Sequence, residues 1–286
     1  MIRPLLLVLP ALIAGAVPVP AQLRRSWQER CARMRPAELI DQLRDDDRRW
    51  NAESAVDELR HRLAAEAELG ASGPTARALL SVLDSTDRQQ RDMAAALAME
   101  HLTELRRRTG IWPWPLAQVR RLQRIAVEHL GGAWTWWPGY AVGRAWEFLS
   151  LDPATAEADL VEALDGSPGD ERTFMAAAIL GRAGFSAYVD RIAPILIPHL
   201  RDNQDRSDGI LALPALYRLG PAVLPWLEAA LPGADEQQRK CIELLRLDLE
   251  SPPRTPADFA RRWRLNRISW KVPDPAVEPV NPWLLH

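Results

Sequence analysis

The chain has 286 residues, 47% of them hydrophobic and 26% charged, and its formal net charge at pH 7 is −2. The mean hydropathy of −0.22 excludes a polytopic membrane protein, and the pI near 6.2 argues against a general polyanion binder, so we expect no nucleic-acid partner. Two cysteines, Cys31 and Cys241, are too few for a disulfide-dense scaffold or a four-thiolate zinc site.

Residues 1–21 have the pattern of a secretory signal peptide. Arg3 precedes an apolar run over residues 5–13, and small residues then permit cleavage after Ala16 or, as we favour, after Ala21. The run is shorter than the ~20 residues that cross a bilayer, so we expect no membrane span after cleavage. The sequence therefore predicts export to the periplasm or the extracellular space, with an uncleaved N-terminal anchor as the alternative.

Residues 22–250 contain an internal repeat of apolar positions. Six apolar anchors are separated by 40, 47, 34, 36 and 31 residues, and another apolar residue follows each anchor after 16 positions. The anchors with their partners are Leu43 and Leu59, Leu83 and Met99, Leu130 and Trp146, Leu164 and Leu180, Leu200 and Leu216, and Leu231 and Leu247. Such a period indicates one supersecondary unit that recurs along the chain.

Each unit has the local pattern of two helices joined by a polar turn. Residues 84–87, for example, supply Asp, Ser and Thr between an apolar stretch and the alanine-rich segment 93–98. Side chains of this kind accept hydrogen bonds from the free amides of a helix start, and small alanines permit close helix packing. We find no convincing apolar–polar alternation, so the sequence predicts an all-α fold without strands.

The turn of residues 83–87 with Arg91 and Ala94, and the turn that begins at Leu164 with Arg172, resemble the HEAT-repeat family. The interhelical arginine of that family also matches Arg239, but Asn51, Pro138 and Asp208 replace it in the other three units. The resemblance implies an α-solenoid of about six stacked antiparallel helical hairpins, a HEAT-like superhelix. Stacking is needed because one hairpin cannot bury both of its faces.

The chain changes character after residue 250. Thr255 before Pro256, like Asp152 before Pro153, is the pattern of a capping residue ahead of a proline in the first helical position. We expect a capping helix and linker over residues 251–270. Residues 271–286 are rich in proline, and we expect them to form an extended tail.

The third repeat is rich in tryptophan, since six of the twelve tryptophans lie between residues 112 and 146. Indole rings offer a large flat apolar surface with one donor, which suits a sugar face, a proline-rich peptide or an apolar partner. The alternative is that the rings fill the core of an irregular repeat. The candidate ligand- or partner-binding residues are Trp112, Trp114, Trp134, Trp136, Trp137 and Tyr140.

Six arginines fall between residues 106 and 124, and they form either an anion clamp or a solvated helix face. The five histidines are scattered without the spacing of a zinc site, and the chain has no nucleophile elbow and no phosphate-binding glycine loop. We therefore expect no catalytic residue, no metal and no cofactor. In an open solenoid Cys31 and Cys241 lie too far apart to bridge, so we expect no disulfide.

These observations favour a non-catalytic scaffold outside the cytoplasm that binds a protein or peptide partner on a curved helical surface. One alternative is a carbohydrate-binding protein of the cell envelope that uses the tryptophans of residues 112–146. Another follows from the HEAT resemblance, because that fold also includes DNA-repair glycosylases. Export and the near-neutral charge argue against this nucleic-acid enzyme.

Overall fold

The computed structural model describes residues 21–44, 49–131, 136–167, 169–200, 207–252 and 255. Within these ranges the chain is helical and contains no strand, which confirms the predicted all-α class. The predicted signal peptide lies outside the described residues except for Ala21. The predicted capping helix and proline-rich tail also lie outside them, apart from residues 251, 252 and 255.

The described residues form thirteen α-helices, several of them preceded or followed by a short 3-10 turn. The helices are α1 (Ala21–Cys31), α2 (Pro36–Asp41), α3 (Arg49–Ala65), α4 (Pro74–Ser81), α5 (Arg88–Thr109), α6 (Leu116–His129), α7 (Trp136–Leu151), α8 (Glu157–Ala163), α9 (Glu171–Arg182), α10 (Val189–Leu196), α11 (Ser207–Leu219), α12 (Leu224–Ala230) and α13 (Glu236–Glu250).

Aspartates in the polar turns start three of the long helices. Asp87, Asp170 and Asp235 have extended backbones, and their carboxylates accept hydrogen bonds from amides in the first turns of α5, α9 and α13. The donor–acceptor distances are 3.0, 3.4 and 2.8 Å. At the other end of α5, Gly110 has φ +73° and closes the helix in the left-handed conformation that glycine favours.

One predicted helix start is wrong. Asp152 and Pro153 precede a run of turns, and α8 begins only at Glu157. The carboxylate of Asp152 accepts a hydrogen bond from the indole N–H of Trp112 at 2.9 Å. A long-range tertiary partner therefore occupies the side chain that the local pattern assigns to a helix cap.

After α1 the helices pack as six consecutive pairs: α2 with α3, α4 with α5, α6 with α7, α8 with α9, α10 with α11, and α12 with α13. The second helices of neighbouring pairs also pack on one another, in the order α3, α5, α7, α9, α11 and α13. We refer to these six helices as the second-helix row. Every extensive helix–helix contact in the described residues joins helices no more than three positions apart along the chain.

Small residues set how closely the second-helix row packs. Ala94–Ala96 in α5 and Ala176–Ala178 in α9 are fully buried. A Cβ added at Gly181 of α9 would lie only 2.8 Å from the Cβ of Ala215 in α11. This distance is below any ordinary contact, so the crossing of α9 and α11 depends on the absence of a side chain at Gly181.

Ten of the twelve repeat positions are buried, with exposures of 6% or less. The anchor Leu231 is only partly buried against the core. Leu247 is 45% exposed and does not fill a helix seam as the spacing predicts. Leu247 lies on α13, the last helix that the structure describes.

Both cysteines are buried free thiols, Cys31 at the end of α1 and Cys241 in α13. Burial, with a smaller contribution from the carboxylate of Glu58, raises the pKa of the Cys31 thiol. Each cysteine therefore occupies the position of a small apolar core residue.

Candidate functional site

Two tryptophans of the predicted binding cluster pack into the structure. Trp114 is 2% exposed, and a side chain with so little exposure offers no face to a ligand. Trp112 is half-buried: its edge meets the ring of Phe148 at 5.1 Å between centroids, and the guanidinium of Arg106 lies 5.1 Å above it. Together with the bond to Asp152, these contacts fix Trp112 in the connection between α5 and α6.

The rest of the cluster is described only in part. Trp136, Trp137 and Tyr140 lie in the first turns of α7, but their side chains are outside the described residues, and so is all of Trp134. Trp146, further along α7, is 1% exposed, with the guanidinium of Arg182 at 5.8 Å from its ring. The indoles that the structure describes here therefore serve packing.

A set of exposed apolar side chains surrounds this connection. Ile111 is 65% exposed and Leu116 is 46% exposed, on either side of the buried Trp114. Leu69, which is 53% exposed, lies in the preceding connection between α3 and α4. The two connections touch, because a Cβ added at Gly70 would lie 3.0 Å from the carbonyl oxygen of Pro113. We call Leu69, Ile111 and Leu116 the apolar patch.

Sequence reasoning missed the apolar patch because it weighed the tryptophans and arginines of this segment but not its aliphatic residues. The available signal was that Ile111 and Leu116 flank the four-residue Trp-Pro-Trp-Pro motif, shortly after a run of three arginines. A rigid proline-rich turn at a helix end is a surface position, and aliphatic residues there become exposed.

The arginines of residues 106–124 divide into paired and unpaired groups. Arg121 pairs with Asp84 at 2.5 Å, Arg124 approaches Asp159 at 3.9 Å, and Arg106 approaches Asp152 at 3.7 Å. The other three are exposed, and in the described part of the chain no carboxylate pairs with them. They are Arg107, Arg108 and Arg120.

A chain of ion pairs crosses three helices of the second-helix row. Arg60 of α3 contacts Asp57 at 3.2 Å and Glu100 of α5 at 3.1 Å. Arg144 of α7 reaches the same Glu100 at 3.6 Å and Glu147 at 2.7 Å. We call these five residues the ion-pair chain. Its two arginines and Glu100 keep side-chain exposures of 25–38%, whereas the Glu147 side chain is 4% exposed.

The ion-pair chain also escaped sequence reasoning, although the repeat contains part of its signal. Arg60 and Glu100 each follow directly after the second apolar position of a repeat. Equivalent positions in successive repeats lie side by side in stacked helices, so opposite charges at them indicate contact between repeats. The sequence gives no such signal for the pairs that Arg144 forms.

A buried histidine–carboxylate pair joins α5 to α6. His129 is 7% exposed, and its Nε2 lies 3.0 Å from the Oδ1 of Asp92. Burial alone would raise the pKa of Asp92, but hydrogen bonding and charge from His129 and Arg91 outweigh it and hold this pKa below its usual value. In the part of the chain that the structure describes, no hydroxyl or thiol bonds to the His129 ring.

The described residues contain neither a candidate metal site nor a candidate membrane span. No three histidine, cysteine or carboxylate side chains among the described residues come together in a way that could hold a metal ion. No helix there has both the length and the apolar character needed to cross a bilayer.

Comparison of the chain with known proteins finds no matching family model, no matching curated protein and no matching solved structure. The residues of this chain are therefore the basis for proposing its function.

Proposed function

We propose that this protein is a non-catalytic scaffold that binds a protein or peptide partner along its second-helix row. In this proposal the six helix pairs stack as a HEAT-like α-solenoid, and residues 1–21 direct the chain out of the cytoplasm. The local packing of the helices supports the stacking, since each helix packs extensively only on near neighbours in the chain. A row of this kind supplies the ~1,600 Å² of total buried area that a standard interface needs.

The observation that carries the proposal is the ion-pair chain. Arg60, Glu100 and Arg144 are partly exposed, yet their mutual contacts hold them in place on three neighbouring helices. Each of these three side chains is 25–38% exposed, so a partner can contact it, and the planar guanidinium suits recognition of carboxylates. Because they are already ordered, binding loses less side-chain entropy than it would with free surface arginines.

The experiment is a capture assay with the full chain, tagged at its C terminus and purified after export, against an envelope extract. Arg60→Gln removes the arginine that joins α3 to α5. Arg191→Gln is the matched control, because Arg191 lies on α10, outside the second-helix row, and pairs with Asp165 at 2.6 Å at 31% exposure. We expect Arg60→Gln to lose the captured partner at least tenfold and Arg191→Gln to retain it.

Equal capture by both variants would show that the ion-pair chain is not the binding surface. Release of the captured material by soluble glycans, with no difference between the variants, would instead support the carbohydrate-binding alternative based on the tryptophans of residues 112–146. Thermal melts of both variants show whether each has kept its fold.

A further inference from the structure

The exposed large hydrophobic side chains of the described residues are unevenly distributed. Three of them form the apolar patch on two touching connections, whereas Leu23 and Leu247 lie singly on α1 and α13. Single exposed leucines are ordinary on a protein surface, but grouped aliphatic side chains at loop positions mark an interaction site.

Unpaired positive charge borders the apolar patch. Arg107 and Arg108 end α5 just before Ile111, and Arg120 lies one helical turn after Leu116. No carboxylate of the described residues pairs with these three arginines, although the exposed Glu68 and Glu104 lie nearby in the sequence. Arg106, Arg121 and Arg124 are paired with carboxylates, so the positive charge of this surface comes from the three arginines Arg107, Arg108 and Arg120, against the two glutamates Glu68 and Glu104.

The connection that presents Ile111 is held rigidly. Trp114 is buried in the core, Trp112 donates a hydrogen bond to Asp152 at 2.9 Å, and a guanidinium N–H of Arg106 donates to the carbonyl of Gly110 at 2.6 Å. Prolines precede and follow Trp114, which restricts the backbone further. The exposed aliphatic side chains are therefore already in place before any partner arrives.

From this combination we infer that the apolar patch and its arginines dock the protein on an anionic lipid bilayer. Peripheral attachment requires two signals, apolar side chains that enter the acyl boundary and basic side chains that meet anionic headgroups. Ile111, Leu116 and Leu69 supply the first signal, and Arg107, Arg108 and Arg120 supply the second.

A bilayer fits this surface better than an acidic peptide does. Ile111 lies in a loop, Leu69 in a 3-10 turn and Leu116 at the start of α6, all with 46–65% exposure, and the neighbouring Pro115 and Ala117 are also exposed. A fluid surface accepts projecting side chains, whereas a peptide needs a groove that excludes water from its anchors.

The test is co-sedimentation of the full chain with vesicles of phosphatidylcholine alone or with 30% phosphatidylglycerol. We expect binding only to the anionic vesicles and release at high salt. Arg107→Gln/Arg108→Gln lowers the partition coefficient about thirtyfold, because each basic side chain near the surface contributes about a factor of five. Ile111→Ser/Leu116→Ser lowers it at least tenfold, and the control Leu247→Ser leaves it unchanged.

Three outcomes would overturn the inference. The first is equal binding of wild type and Ile111→Ser/Leu116→Ser, which would assign attachment to another part of the chain such as residues 1–21. The second is equal binding to neutral and anionic vesicles. The third is absence of vesicle binding together with arginine-dependent binding to a polyglutamate peptide, which would assign the surface to an acidic protein. Circular dichroism confirms that each variant is folded.

Discussion

The buried end of the ion-pair chain gives an asymmetric prediction for stability. The Glu147 side chain is 4% exposed and pairs with Arg144 at 2.7 Å, whereas Arg144 is 30% exposed and also reaches Glu100 at 3.6 Å. Arg144→Met leaves a buried carboxylate without its partner. Glu147→Met leaves an arginine that still has solvent and a second carboxylate. The first variant should therefore be the less stable of the two.

The magnitude follows from the exposure of the two side chains. Breaking a fully buried pair by removing one partner costs about 3–5 kcal/mol. Because water already reaches Arg144, we reduce this figure to about 2 kcal/mol for Arg144→Met. We expect less than about 1 kcal/mol for Glu147→Met, and about the same for the double variant, in which no charge remains buried.

The assay is urea unfolding followed both by far-ultraviolet circular dichroism and by tryptophan fluorescence. Agreement of the two probes is required, because a repeat array does not always unfold in one step. The reasoning is refuted if Glu147→Met is as destabilising as Arg144→Met, or if the double variant is no more stable than Arg144→Met.

Three further predictions follow from other parts of the structure. Gly181→Ala should lower the free energy of unfolding by about 1–2 kcal/mol, because overpacking at the α9–α11 crossing exceeds the ~1 kcal/mol gain in helix propensity. Asp92 has a lowered pKa, so its stabilisation is present above about pH 4 and is lost as the pH falls through its folded pKa. The stability difference between wild type and Asp92→Asn should therefore shrink below pH 4 in acid titrations of the urea midpoint. Cys31 and Cys241 should react slowly with a thiol reagent in the folded protein and rapidly, with two equivalents, in urea.

Each of these three predictions has a control variant or a result that would contradict it. Gly233→Ala is the control for the glycine variant, since a Cβ there would meet no atom within 4 Å, and equal losses at Gly181 and Gly233 would contradict the close-packing argument. A stability difference for Asp92→Asn that stays constant from pH 7 to pH 3 would show that the charge of Asp92 does not stabilise the fold. Rapid labelling of either thiol in the native protein would contradict its burial.

Local patterns in the sequence predict the all-α class and several of the helix starts. Asp87 and Asp235 cap helices, because the carboxylate of each accepts a hydrogen bond from an amide of the first helical turn. The carboxylate of Asp152 instead accepts a hydrogen bond from Trp112, 40 residues away, and there the local pattern predicts the wrong helix start. Partners at long range are set by the packing of whole helices, which a single sequence does not reveal.

The candidate surfaces likewise depend on long-range packing that the sequence does not reveal. The sequence offers packing and ligand binding as two roles for the tryptophans, and Trp114 belongs to packing because it lies against His101 inside the structure, with ring centroids 6.4 Å apart. Isoleucine is a residue type typical of protein cores, but Ile111 lies exposed in a helix connection. Exposure is a property of the assembled helices, so neither assignment follows from residue type alone.

The restriction of extensive contacts to near neighbours along the chain has a consequence for how the protein matures. A polypeptide that leaves a secretion channel with its N terminus first can complete each helix pair soon after its residues emerge, because the partners it needs are already outside. Low contact order of this kind speeds folding and shortens the time for which apolar segments are open to aggregation. Such a chain is therefore suited to stepwise assembly as it emerges, both from a ribosome and, under the export proposed above, from a secretion channel.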